Sequence, residues 1–410
     1  MLRWLLVTTI APGCTAGTDE PPADPNGLID AVYAVAVRLQ GDGGSLVALV
    51  DDPARPEPLD LTGGLPLPGG GAVAGSPFDP SALFVLSHET GVMSRFRVGA
   101  DGRFSLEAEM GVPELQTSLR FFGGDSFTFL APDLAYLFDP VAGELRAWDP
   151  QAMELRGRIV LSRDLVPGPL LFPVVGHENR VVGDELFTTI AFANSIEDVA
   201  DATSLVSVTD TVRGELVELV AVDTCGYVRH SWVGADGTIR YGTDAFSTAV
   251  GIASGGDRAG PSCVMGFDPA TRTQLAEPVL AAADLFDGAP AGNFVFVSDD
   301  QLWARVLDET TLPPDLLTTV ELTAGPYWRW GFVDGLQDPV STVLSDWPVG
   351  TSFADPFDIG GVRYAVENTP DFMGSRLLRL ETDGRLTAGI ETDQSIVELI
   401  PLGAAVPEAP

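Results

Sequence analysis

Three histidines, at positions 88, 177 and 230, are all the imidazole this chain has for proton transfer or metal ligation. Two sit in the same dipeptide, His88-Glu89 and His177-Glu178, and each pair could set an imidazole beside a carboxylate at one mouth of a cavity. Neither has a second His four residues on, so the zinc-protease spacing is absent. No Gly-x-Ser-x-Gly elbow presents a nucleophilic hydroxyl. All 23 basic residues are Arg. The absence of Lys excludes a phosphate-binding loop of the G-x-x-x-x-G-K type, Schiff-base and pyridoxal chemistry, and a kinase lysine, because each requires an ammonium group. Asp51-Asp52 and Ser298-Asp299-Asp300 gather acids, but not at the alternating spacing of a calcium loop, and they read as turn residues. No catalytic residue, metal or cofactor is assigned on these grounds.

The one cluster that departs from this background is Tyr327-Trp328-Arg329-Trp330. On a strand, Tyr327 and Arg329 share one face and Trp328 and Trp330 the other. A phenol and a forked cation could then meet a planar anionic ligand while the indoles anchor the sheet. Tyr327, Arg329 and Trp330 are the candidate ligand-binding residues; the competing reading is aromatic packing between sheets.

The elements that must position such residues read as strands. Phe127–Ala131, Leu134–Phe138, Gly143–Trp148 and Met153–Leu161 form one four-stranded antiparallel unit, with Asp or Pro at each joint to set the turn. Leu-Ala-Tyr-Leu-Phe is apolar throughout, as in a strand covered on both sides. In the last run Met153, Leu155, Ile159 and Leu161 alternate with Glu154, Arg156 and Arg158, as in an outer strand with one wet face. Further inner-strand candidates are Gly71–Gly75, Ala82–Leu86, Glu185–Phe192, Ser204–Thr209, Leu216–Val222, Phe294–Ser298, Trp303–Leu307 and Arg363–Val366. The stretch 53–71, rich in Pro and Gly, reads as a loop. Only Ser195–Asp201 and Leu280–Phe286 look helical, for one or two turns.

Two signals repeat. An aromatic-Asp-Pro turn recurs at Phe78-Asp79-Pro80, Phe138-Asp139-Pro140, Trp148-Asp149-Pro150 and Phe267-Asp268-Pro269. An Asp-Gly hairpin, in which both central residues would take positive φ, recurs at Asp101-Gly102, Asp236-Gly237 and Asp383-Gly384. The hairpins lie about 135 and about 147 residues apart, roughly three blade-length periods in each gap. The fold expected is an all-β propeller, best fitted by seven blades of four antiparallel strands, with six or eight also compatible and two stacked β-sandwich domains as the rival. Residues 28–403 would form this single domain, Ala31–Leu39 and Ile396–Leu402 closing it in one blade or in touching blades, with a disordered tail at 404–410.

The formal net charge of −35 repels nucleic acid and anionic lipid at long range. Residues 1–14 carry one Arg, an apolar run from Trp4 to Ala11 and then small residues, the layout of a secretory signal too short to span a bilayer. Ala11-Pro12-Gly13-Cys14 resembles a lipoprotein processing site, with Ala11 where Leu is usual, and makes Cys14 the expected site of lipidation. Residues 15–27 form an acidic, Pro-rich tether. Cys225 and Cys263 remain as an even pair in an oxidising compartment and are expected to form a disulfide.

The run from Phe127 to Phe138, followed by Leu145-Arg146-Ala147-Trp148-Asp149-Pro150, Met153 and Gly157–Leu161, resembles propeller-like lipoproteins of myxobacteria associated with siderophore-dependent iron use, of the myxochelin type. The resemblance implies an exported accessory of the outer membrane or cell surface, and if it carries function the ligand would be a catecholate-like anion; an envelope partner protein is the alternative binder, and the chain is expected to be a monomer. It brings no catalytic motif. A non-enzymatic binding propeller is the leading expectation; a hydrolase or lyase with acids at the central channel and a purely structural envelope module are the alternatives.

Overall fold

The computed structural model describes residues 32–39, 44–99, 101–112, 126–139, 142–161, 172–175, 179–194, 199–256, 258–314, 317–369 and 373–402. The expected signal with Cys14, the tether, the C-terminal tail and His177-Glu178 lie outside these residues.

Seven antiparallel sheets close into a β-propeller. Blade one takes its inner strand, Ser395–Leu402, from the end of the chain and its other three, Val32–Arg38, Ser45–Val50 and Leu65–Leu67, from the beginning. Blade two comprises Gly71–Ser76, Asp79–Ser87, Val92–Val98 and Phe104–Gly111. Blade three comprises Phe127–Ala131, Leu134–Asp139, Glu144–Asp149 and Glu154–Val160. Blade four has a divided inner edge, Phe172–Val175 and Arg180–Val182, beside Glu185–Asn194, Ser204–Asp210 and Glu215–Val222. Blade five runs Val228–Val233, Ile239–Thr243, Cys263–Asp268 and Thr273–Gln274. Blade six runs Ala291–Phe296, Gln301–Leu307, Trp328–Asp334 and Val340–Val343. Blade seven runs Pro356–Ile359, Val362–Asn368, Ser375–Leu380 and Leu386–Thr392.

Because the strands alternate in direction, the connections between blades and the turns between second and third strands share one face, here the upper. The first–second and third–fourth hairpins share the lower face. The blades meet through apolar faces, as where Phe84 and Met93 of blade two pack on Trp148 and Leu137 of blade three. Second strands are covered on both sides by neighbouring blades, which makes them as apolar as inner ones. For that reason Ala82–Leu86, Glu185–Phe192, Trp303–Leu307 and Arg363–Val366 are second strands, Ser204–Thr209 is a third and Leu216–Val222 an outer strand; of the inner-strand candidates only Gly71–Gly75 and part of Phe294–Ser298 lie at the centre. The loop expected over 53–71 contains the short outer strand of blade one, and its segment Pro53–Leu59 lies along blade seven, where Leu59 N–H donates to Glu391 O at 2.8 Å.

Blades two, three and four share a one-residue bulge in the outer strand, at Glu107, Arg156 and Val217. In blade three it interrupts the alternation, so Ile159 is buried while Leu155 turns to solvent. The Asp-Gly hairpins also differ from the two-residue form. Gly102, Gly237 and Gly384 have positive φ and the Asp residues do not. Each Asp side chain accepts a backbone N–H two residues on, as from Arg103, Thr238 and Arg385. This is a type I turn closed by a glycine bulge. The first and third such turns close outer hairpins and the middle one an inner hairpin, so the three are not equivalent positions of a strict repeat.

Two helices extend second–third turns on the upper face. The first, α1, spans Ala245–Ser254, capped by Asp244, whose Oδ1 accepts Phe246 N–H at 2.7 Å, and ended by Gly255 at φ 70°. The second, α2, spans Thr319–Ala324 behind a capping box of Thr318 and Glu321. Neither is among the stretches expected to be helical, because β-branched residues and Gly251 dilute the helical pattern, although the caps are legible. Of the two expected helical stretches, Leu280–Phe286 opens as a two-residue strand, Leu280–Ala281, and continues in a 3₁₀ turn at Ala282–Asp284, with a second, Phe286–Gly288, starting at its end. The other is overturned in its described part, where Val199–Ala200 pairs as a short strand.

Cys225 and Cys263 are bonded, with Cα atoms 5.4 Å apart. Replacing both with Ser should lower stability by about 3–4 kcal/mol on the chain-entropy account of a loop this long. The check is a lower denaturant midpoint at an unchanged slope; an unchanged midpoint would contradict it. Closure gives a second expectation. Removing residues from 390 onward strips blade one of its inner strand and bares two strand edges, so the truncated protein should pellet or oligomerise where the full chain stays monodisperse in size-exclusion chromatography.

Candidate functional site

The third strand of blade six places the aromatic cluster, and its pleat separates the residues proposed to act together. Trp328 and Trp330 are both fully buried. Trp328 Nε1 donates to Leu322 O of α2 at 2.7 Å, and Trp330 meets Trp303 edge-on with centroids 6.1 Å apart. Trp330 packs between blades six and seven, where it touches no solvent. Arg329 points the other way. Its Nε donates to Asp308 Oδ2 at 2.6 Å, and its Nη1 to Ser345 O at 3.1 Å and Trp347 O at 3.0 Å. The Thr310 hydroxyl first, and the Arg329 guanidinium after it, hold the Asp308 carboxyl below the usual range despite partial burial. Tyr327 is half-buried against the α1–α2 contact. The three residues therefore do not line one surface, and Arg329 spends its donors on the fold.

What Trp330 does instead leads to a different site. Its Nε1 donates to Glu367 Oε1 at 3.1 Å, and Arg305 Nη1 donates to the same oxygen at 3.2 Å. Arg376 takes the other oxygen, Oε2, through Nε at 2.7 Å and through Nη2. Arg305, from the second strand of blade six, is wholly buried, and its guanidinium lies over the Trp330 ring at 4.7 Å. Its Nη2 also donates to Trp328 O and Thr351 O. Burial pushes Arg305 down to about 10, with Glu367 acting against that shift, so it stays cationic at neutral pH. Gly350 leaves room for the pair: a Cβ there would stand 2.9 Å from Arg305 Nη2 and 3.0 Å from Glu367 Oε1.

Above this ion cluster a cleft of about 810 Å³ opens on the upper face over blade seven. Arg376 is partly exposed in it, stacked on Trp347 at 4.8 Å. Its Nη1 bonds none of the described residues. Asn368 Oδ1 is buried there without a partner among them. Pro348, Val349, Pro58, Leu59 and Met373 give apolar wall, and Glu391 and Asp393 stand exposed at the rim. No sequence signal marked this site. Glu367 and Arg376 become neighbours only through the register of the second and third strands of blade seven.

The other candidate chemistry is dispersed. His230 lies buried in the inner strand of blade five, with Nε2 3.1 Å from Asn293 Oδ1. His88 sits at the second–third turn of blade two, with its backbone N–H on Gly70 O. Among the described residues no three His, Cys, Asp or Glu gather as metal ligands. Asp52 accepts from Ala54 N–H, and Asp299 from Trp232 Nε1 at 2.8 Å and Ala235 N–H at 3.0 Å. The Trp232 indole is the main reason the Asp299 carboxyl sits below the ordinary range. These acids are turn residues, as expected. At the lower end of the axis Arg363 of blade seven lies 5.2 Å from the Trp232 ring of blade five. Blade six separates those blades in the ring.

No family model matches the chain, and no curated protein matches it. Solved structures do. A protein from Lactobacillus plantarum is 14% identical with a TM-score of 0.54, over 91% of this chain and 99% of that one. A putative 6-phosphogluconolactonase from Bacteroides fragilis is 13% identical with a TM-score of 0.52, over 92% and 100%. One from Bacteroides uniformis is 12% identical with a TM-score of 0.52, over 91% and 100%. At these identities the likeness is one of fold.

Glu367→Gln should cost about 3–5 kcal/mol, because it leaves Arg305 buried without a carboxylate. Arg376→Gln should cost less, since it removes a partly exposed partner and leaves the Arg305–Glu367 pair intact. Denaturant unfolding of both variants checks the order; equal losses would contradict it.

Proposed function

We propose that this chain is a non-enzymatic binding propeller of the cell envelope, anchored through Cys14, that takes a small ligand or a group of a partner protein into the cleft over blade seven as an accessory of ferric-siderophore handling. The observation that supports a binding role is the Arg376 guanidinium, half-presented in the cleft while its ring stacking and two hydrogen bonds fix its direction. A rigid, oriented donor loses little freedom on binding an anion. The Cys225–Cys263 disulfide agrees with an oxidising compartment. The siderophore assignment rests on the sequence resemblance.

Two similar structures carry the name putative 6-phosphogluconolactonase, and an enzyme reading would place a general base in this cleft. Glu367 is poorly suited to that, because both its oxygens are already clamped by Arg305, Trp330 and Arg376. Glu391 and Asp393 are exposed at the rim, and Asp393 Oδ1 accepts from Gln394 Nε2 at 3.1 Å.

Titration with a ferric catecholate, read by tryptophan fluorescence, tests the siderophore assignment on protein lacking residues 1–26. A saturable change is expected, lost in Trp347→Phe, because Trp347 is the indole stacked on Arg376, and at least tenfold weaker in Arg376→Ala. No saturable change would remove the siderophore role.

A further inference from the structure

The cleft's charges are arranged by depth. At its floor two guanidinium groups, Arg305 and Arg376, share the single carboxylate of Glu367, which leaves one positive charge in excess against the protein wall. At the rim stand two exposed carboxylates, Glu391 and Asp393, the latter also accepting from Gln394 Nε2. Glu391 faces Arg376 across the strand pair but makes no ion pair with it. Between floor and rim, Asn368 Oδ1 is a buried acceptor that needs an N–H. Leu59, Val349 and Met373 supply apolar surface beside it.

A carboxylate or catecholate oxygen satisfies Arg376, which would repel a simple cation, while the rim acids add a place for a cationic group that a bare anion leaves unused. A neutral apolar ligand would leave both Arg376 Nη1 and Asn368 Oδ1 unpaired. The geometry points to the carboxy-terminal end of a peptide as the occupant: carboxylate inward on Arg376 Nη1, a backbone N–H on Asn368 Oδ1, an apolar last side chain on the wall, and a basic residue outward to Glu391 and Asp393. A volume of about 810 Å³ admits a few residues in extended form. With Nε and Nη2 held by Glu367, Arg376 offers a carboxylate the charge-assisted N–H groups of Nη1. This inference rests on the cleft being a binding site and narrows what it takes. A tail on a partner protein and a free short peptide present the same chemistry.

The probe is the tripeptide Lys-Ala-Leu, titrated calorimetrically into the full folded body, against the same peptide with its carboxylate converted to an amide. The acid form should bind, and the amide at least tenfold more weakly. Arg376→Gln should weaken the acid form by a similar factor and leave the amide unchanged, a coupling that mere misfolding would not give. The double variant Glu391→Gln, Asp393→Asn, which alters only exposed side chains, should weaken binding several-fold at low salt and not at high salt. Fusing Lys-Ala-Leu to the C-terminus of an inert carrier separates the sources: capture of the carrier assigns a protein tail, and binding of the free peptide alone assigns a small solute. Equal affinity for acid and amide would overturn the inference. So would absence of binding at millimolar peptide; if the ferric catecholate still saturated at Trp347, the cleft would stand as a site and only its peptide assignment would fall, whereas silence from both probes would remove the site itself.

Discussion

Val32–Arg38 must find Ser395–Leu402, from the other end of the chain, before the propeller exists. Seven residue pairs join them, from Val32 with Leu402 to Arg38 with Ser395. Every other blade is built from strands close in sequence, so its pairing has a short loop to close. This one has the longest loop in the fold and carries the corresponding entropy cost. What offsets it is burial on both sides of the seam. Val35, Val37, Ile396 and Leu399 face blade seven, while Ala34, Ala36, Ile400 and Leu402 face blade two. The site depends on the same seam. Glu391 and Asp393 lie at the passage from blade seven into the closing strand, and Leu59 reaches the cleft from the N-terminal part of blade one. The cleft is assembled by closure rather than by any one blade.

A second constraint acts between blades six and seven. A carboxylate shared by a buried Arg305, a partly exposed Arg376 and the Trp330 indole is expensive to desolvate, and an apolar replacement of similar volume would stabilise the interface at least as well. Its value is directional. Arg305 binds Trp328 O and Thr351 O, Trp330 binds the carboxylate, and Glu367 thereby holds Arg376, whose Nη1 bonds none of the described residues, in the wall of the cleft. The aromatic cluster singled out from sequence is thus part of the site, one layer beneath the surface expected of it.

That displacement shows what the sequence could carry. Strand runs and turn acids were legible because each is set by residues a few positions apart: Asp101, Asp236 and Asp383 cap their turns from within, and the period of two separates wet from covered strands; the blade number followed from chain length and a blade-sized period, although the hairpins that suggested the period are not equivalent. The cysteine pairing was legible by elimination once Cys14 was set aside. Which strand of a blade lies innermost was not, since second strands such as Trp303–Leu307 are covered as fully as inner ones. Bulges were not legible either, and the one at Arg156 was enough to turn Leu155 out to solvent. Arg376 lay beyond reach for a further reason. It is one of 23 Arg, and only strand register and blade packing bring it beside Glu367 and Trp347.

The bulk charge of the molecule gives the cleft its discrimination. At net −35 the long-range field favours cationic partners and opposes anions, yet within a Debye length, about 8 Å at physiological salt, local groups decide. Several Arg side chains are committed to the fold: Arg180 to Ser231, Arg363 to the Trp232 face, Arg329 to Asp308. In the cleft on the upper face over blade seven, Arg376 is a partly exposed cation held by Glu367. A ligand approaching that face passes acids before it meets Arg376, so positive charge speeds its arrival and negative charge holds it. A molecule carrying both, in that order, satisfies the field and the floor together.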